Sequence, residues 1–161
     1  MAWTTPKTDW STGELVAAAD LNSIGDNLAA LRNLGKAAYT TTKDIVSNTR
    51  NFTHIDGDNL NLTITTTGGD VLVHFHGSIG LWDGQSVFLD IEVDGSRLGG
   101  NDGLLRHQFV NVSGSAQVAN LVSFTRLIQN LSPGSHTFKL QSKETYSNTL
   151  KAGAQFWLRE I

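Results

Sequence analysis

From residue 59 onward the sequence alternates apolar and polar residues with a period of two, and this alternation limits the fold more than any other feature of the chain. In "NLNLTITTT" Leu60, Leu62 and Ile64 share one face, and in "DVLVHFHGSIG" Val71, Val73, Phe75 and Ile79 do the same. Successive side chains of a strand point to opposite sides of a sheet, so each stretch reads as a half-buried strand with one apolar row. Breaks at "TTGGD", "WDGQ", "VDGSRLGGNDG" and "LSPGSH" supply the Gly, Asp and Pro that chain reversals need. Further strands read from "QSVFLDIEVDG", "LRHQFVNVS", "QVANLVSFTRLIQNL", "HTFKLQSKE" and "AGAQFWLREI", with a weaker one in "DIVSNTRNFTHI". About eight to ten strands with turn signals between them predict an all-β sandwich or closed barrel.

The first part of the chain reads differently. From Leu15 the apolar positions Ala17, Leu21, Ile24, Leu28 and Leu31 follow alternating spacings of four and three, the pattern of a coiled-coil seam. Leu21, Ile24, Leu28 and Leu31 are the candidate association residues. Two heptads, with Gly25 in the middle, are too little for a helix to stand alone in water. It therefore needs a partner, either the β-domain it precedes or copies of itself, and the pattern leaves both open. Gly35 reads as the helix stop, because glycine takes the left-handed C′ conformation easily. The expected organisation is a helical segment over 1–37 and a β-head over 38–161.

A chain of 161 residues suits one core with a small appendage. Its net charge of -3, without any cluster of Lys or Arg, argues against nucleic acid as a partner. With no cysteine there is no disulfide framework and no thiolate metal site. No stretch has the basic and apolar regions of a cleaved signal or the roughly 20 apolar residues of a membrane span, so neither export by such a signal nor membrane insertion is expected.

Residues suited to chemistry are few. "HGSIG" lacks the strand-to-helix setting of a nucleophile elbow, and Asp90, Glu92 and Asp94, alternating along a strand, read as a solvated acidic face. Asp56, Asp58 and Asn59, and Asn101 with Asp102, offer oxygen ligands of the kind calcium takes, but turns use the same residues for their own hydrogen bonds. The expectation is a non-enzymatic protein without catalytic residues or cofactor. His74 and His76, two apart on a strand, project from one face and are the sharpest metal candidate. Trp82, Asp83 and Gln85 in "LWDGQS", and Leu98, Asn101 and Asp102 in "RLGGNDGLL", are the binding candidates, since rigid β scaffolds place recognition residues on loops.

Two resemblances follow from these residues. Gly13, Glu14, Val16, Leu21, Asn22, Asp26, Asn27 and Leu28, behind a Trp and Pro segment, resemble an N-terminal element at the front of bacteriophage and prophage virion proteins. Many members carry Thr where this chain has Ala17, so the capping hydroxyl is missing and a start at Ser11, with Glu14 as capping-box partner, is expected. "GDVLVHFHGSIG", "VFLDIEVDGSRLG", "SFTRLIQNLSPGSHTFKLQ" and the closing "QFWLREI" are similar to the trimeric jelly roll of the C1q/TNF type as it occurs in phage fibres. The resemblance implies a jelly-roll β-sandwich behind one short helix. It also implies a homotrimeric fibre protein located in the virion after synthesis in the host cytoplasm. The N-terminal segment would join it to other virion proteins, and the head would meet a host-surface glycan or protein. On a three-fold axis His74 and His76 would gather six imidazoles, and H-x-H elements of this kind are known at the tips of some phage fibres. The alternative class is a carbohydrate-binding module or a saccharide-degrading fibre domain.

Overall fold

The computed structural model describes residues 12, 17–32, 35–42, 44–47, 49–56, 59–82, 84–109, 118–145 and 148–161. Among the described residues one helix, α1 (Ala18–Arg32), precedes twelve strands. They are β1 (Lys36–Thr40), β2 (Ile45–Ser47), β3 (Thr53–His54), β4 (Asn61–Thr66), β5 (Gly69–Leu81), β6 (Ser86–Val93), β7 (Ser96–Arg97), β8 (Leu105–Gln108), β9 (Val118–Leu131), β10 (Gly134–Glu144), β11 (Asn148–Leu150) and β12 (Gln155–Glu160). The number exceeds the expected eight to ten because β3 and β7 hold two residues each, too few to show an alternation in sequence.

All pairings are antiparallel and build two sheets. In the first, β5 carries β9 along one edge and β12 with β11 end to end along the other, and β1 and β2 lie beyond these. In the second, β10 lies between β6 and the pair β4 and β3, and β6 carries β8 and β7 on its far edge. The apolar rows seen in the sequence face each other between the sheets. Val71, Val73, Phe75 and Ile79 of β5 meet Val87, Leu89 and Ile91 of β6, Phe138 and Leu140 of β10, and Phe156 and Leu158 of β12, all buried. Phe75 and Phe124 pack tilted with centroids 5.7 Å apart, an arrangement that suits the aromatic quadrupole. A two-layer sandwich results, each sheet burying one face on the other.

Three local expectations gain a physical account. The D-G turn forms as read: Asp94 and Gly95 have φ of 49° and 86°, so β6 reverses into β7 through two positive-φ residues. The described helix begins at Ala18, where the Asp20 carboxylate accepts the Ala17 N–H at 3.2 Å, half of a capping box that needs no hydroxyl; the expected start at Ser11 and its partner Glu14 lie outside the described residues. Gly35 does not take a left-handed conformation; a side chain there would meet the Thr65 carbonyl at 2.4 Å, so the glycine serves a close chain crossing. That crossing is tied by Glu160, whose buried carboxylate accepts the N–H groups of Gly35 and Thr67 and the Thr67 hydroxyl at 2.9, 2.7 and 2.8 Å. Burial pushes the Glu160 carboxyl up, but these donors together hold it below its ordinary range. The closing "REI" thus fastens the last strand to the chain entering the first.

His136 near the start of β10 and Asp94 in the β6–β7 turn form a titrating pair. His136 is buried, with Nδ1 2.7 Å from Asp94 Oδ2 and Nε2 2.8 Å from the Ser132 carbonyl, so both nitrogens can donate when the ring is protonated. The hydrogen bond to Asp94, then that to Ser132, raise its pKa above 6.5, and the same contact lowers Asp94 below 3.8. A raised histidine stabilises the fold fully below its unfolded pKa and loses that contribution as pH climbs through the folded value; a lowered carboxylate loses its own as pH falls. The His136 contribution to the melting temperature is therefore expected to fall as the pH rises from about 5.5 to about 8.5, opposite in sign to that of His74, and His136→Gln should remove it and change the slope. Equal slopes in the two proteins, measured by calorimetry, would contradict it.

Candidate functional site

The outer face of the first sheet presents the histidines. Registers across β12, β5 and β9 set His74 between Trp157 and Thr125, His76 between Gln155 and Ser123, Leu72 between Arg159 and Leu127, and Ser78 beside Leu121. Because this face lies opposite the Val71, Val73 and Phe75 row, His74 and His76 project together as the strand period requires. His74 Nδ1 bonds Thr125 Oγ1 at 2.8 Å and its ring stacks on Trp157 with centroids 5.0 Å apart. Burial, then the neighbouring His76, hold the His74 pKa below its ordinary value, so the ring is neutral at pH 7. Among the described residues of one chain no three His, Asp or Glu side chains gather to hold a metal. Leu121 and Leu127 stand 69% and 39% exposed on the same face.

A second apolar surface lies on α1. Leu21, Ile24 and Leu28 are all exposed, while Asn27, on another side of the helix, is buried. The backbone of Leu31 continues the helix, and its side chain lies outside the described residues.

The structure separates the two groups of loop residues. Trp82 and Gln85 close a tight turn before the first residue of β6, with the Trp82 N–H donating to Gln85 Oε1 at 3.0 Å and the Gln85 N–H to the Trp82 carbonyl at 3.1 Å. Trp82 is 43% exposed, and Asp83 lies outside the described residues. Leu98, Asn101 and Asp102 instead belong to an excursion from the sheet edge midway along β6, entered by the Leu98 N–H on the Ile91 carbonyl and left by the Leu104 N–H on the Leu89 carbonyl. Asp56 accepts from the Asn59 amide at 2.9 Å, the turn role that its sequence also allowed, and Asp58 lies outside the described residues.

Sequence reasoning missed what shapes that excursion. Asp90, read as part of a solvated face, is fully buried and stands 3.1 Å from Arg97 Nε, while its Oδ1 accepts the Ile91 and Gly99 N–H groups at 2.8 and 2.9 Å. The Arg97 guanidinium lies 3.9 Å from the Phe52 ring centroid and donates to the Gly99 and Gly100 carbonyls at 3.2 and 2.6 Å. The strand period correctly placed Asp90 and Glu92 on one face; the arginine that folds back over it comes through a hairpin, which alternation does not reveal.

Two four-strand-wide antiparallel sheets, preceded by a short helix, make this chain a jelly roll of the TNF type. Its fold is similar to that of Eiger TNF from S. frugiperda, with a TM-score of 0.52, 11% sequence identity, and coverage of 81% of this chain and 94% of that one. The structure of infectious bursal disease virus Gx strain also aligns, with a TM-score of 0.47 and 11% identity over 79% of this chain, which spans 31% of that longer chain. At such identities the likeness establishes fold and nothing further. No protein-family model matches the sequence, and no curated protein matches it.

Proposed function

We propose that this chain is a non-enzymatic virion protein of the bacteriophage fibre kind, a homotrimer that presents its jelly roll to a host surface. The observation that carries the reading is the outer face of the first sheet. Leu72, Leu121, Leu127 and Trp157 set apolar surface around two half-buried histidines on the outer face of this sheet, with Leu121 and Leu127 exposed. A contiguous apolar patch rimmed by polar groups is what an association interface offers. A closed ring of three copies, with this face toward the axis, would bury it, and the exposed leucines of α1 offer a second seam between copies. The N-terminal residues that resemble the phage element then serve for attachment to the particle, and Trp82 stands free to touch a receptor.

Three copies of a weak site gain avidity of roughly 10²–10⁴, so attachment needs no tight single contact. The test is retention of cell-envelope fragments, drawn from a panel of bacteria, on immobilised protein. Retention by the wild type that drops in Trp82→Ala supports the reading. Equal retention by both proteins, or none by the wild type, overturns host attachment through this loop.

A further inference from the structure

We infer that the outer face of the second sheet holds a groove that binds an anionic saccharide, a sugar bearing a carboxylate or phosphate group. The groove, about 540 Å³, is bordered by Arg50 and Phe52 on one side, the Arg97 and Asn101 excursion on the other, and Gln141 and Lys143 of β10. It is assembled from three stretches far apart in sequence, and none of the candidate loop residues except Asn101 lines it.

Its charges are unevenly matched. Asp90 is held by Arg97, and Glu92 by Lys139 at 3.1 Å, by His54 at 3.3 Å and by the Gln141 amide, so both acids of this face are already engaged within the fold. Arg50 and Lys143 are matched less closely than these acids or Arg97. Arg50 is exposed and has no ion pair or hydrogen bond among the described residues. Lys143 Nζ sits 5.1 and 4.7 Å from the Phe52 and Phe88 ring centroids and donates to the Asn101 carbonyl. Its nearest carboxylate among the described residues is Asp102 at 3.7 Å, whose side chain is 77% exposed and therefore well screened. Two cations at one groove of a chain with net charge -3 mark a local site for an anion.

The second observation names the rest of the ligand. Gln141 is 5% exposed and lines the groove, and its Oε1 accepts no hydrogen bond from any described residue. A buried acceptor without a donor is costly, and a ligand hydroxyl would relieve it. Phe52 adds apolar surface of the kind sugar rings lie against. A bare anion would meet the cations and leave Gln141 unsatisfied; a neutral sugar would do the reverse. An acidic sugar meets both.

This inference deepens the attachment reading and rests on it for where such a sugar comes from, but its direct test needs neither trimer nor envelope. The probes are trigalacturonate, glycerol 3-phosphate, inorganic phosphate and maltotriose, titrated into the full chain and followed by amide chemical shifts. Trigalacturonate or glycerol 3-phosphate should give saturable shifts around Lys143 and Gln141, stronger than those of maltotriose or inorganic phosphate; the first indicates a uronate source and the second a phosphorylated polymer. Arg50→Ala, an exposed change that leaves the fold intact, should weaken that binding about tenfold, the effect of losing one charge-assisted hydrogen bond. Gln141→Met should abolish the preference over inorganic phosphate. No saturable shift with either acidic probe, equal binding of maltotriose, or unchanged binding by Arg50→Ala would overturn the groove. Envelope retention without acidic-sugar binding removes the groove and spares the attachment reading, and the converse result removes attachment and spares the groove.

Discussion

Replacing Arg97 with methionine is expected to lower the unfolding free energy by about 3 kcal/mol, toward the lower end of what breaking a buried ion pair costs. Asp90 has no exposed side-chain surface, whereas Arg97 is 31% exposed, so the variant strands a charge that water cannot easily reach. The two backbone donors to Asp90 Oδ1 remain, which moderates the loss. The Gly99 and Gly100 carbonyls and the Phe52 ring also lose the guanidinium that orders them, and the excursion should loosen with it. Urea unfolding at matched protein concentration measures this. A shift in midpoint at unchanged slope with Leu98 to Gly103 losing hydrogen-exchange protection is the expected outcome. A variant as stable as the parent would show that the pair contributes nothing net.

The other large effect is expected at Leu121. At 69% exposure the side chain contributes little within one chain, so Leu121→Glu should leave the secondary structure and the monomer's packing intact, as surface changes generally do. In a ring closed on the first sheet it would bury three like charges beside Ser78 and the histidine row, at several kcal/mol of desolvation and repulsion. Each 1.4 kcal/mol is a tenfold change in association, so the assembly should dissociate entirely at micromolar concentration. Sedimentation of the variant should show one chain of 17.4 kDa with an unchanged circular dichroism spectrum. A variant that keeps the wild-type mass would exclude this face from the interface.

What the sequence made legible was the part of the fold that depends on period. The buried row of β5 and the reversal at Asp94 and Gly95 follow from alternation and turn chemistry, and a helix with Leu21, Ile24 and Leu28 on one face from its four-three spacing; the period left sandwich and barrel open, and the jelly roll came from the resemblance. What stayed hidden depends on which distant segments meet. Gly35 is glycine because Thr65 crosses it; Asp90 is buried because Arg97 returns over it; and Arg50, Arg97 and Lys143 share a groove only through the pairing of β10 with β3 on one side and with β6 and its hairpin on the other. The recognition loops suggested by Gly, Asp and Asn content divide for the same reason. Trp82 and Gln85 close a tight turn, whereas the Leu98 to Asp102 stretch leaves a sheet edge part-way along a strand, and composition does not distinguish the two settings.

The account turns on association through the outer face of the first sheet, and the mass of the untagged wild-type protein in solution tests it most directly. Light scattering across a dilution series should give three chains of 17.4 kDa, about 52 kDa, independent of concentration down to the micromolar range. A particle of one chain's mass throughout that range would contradict it.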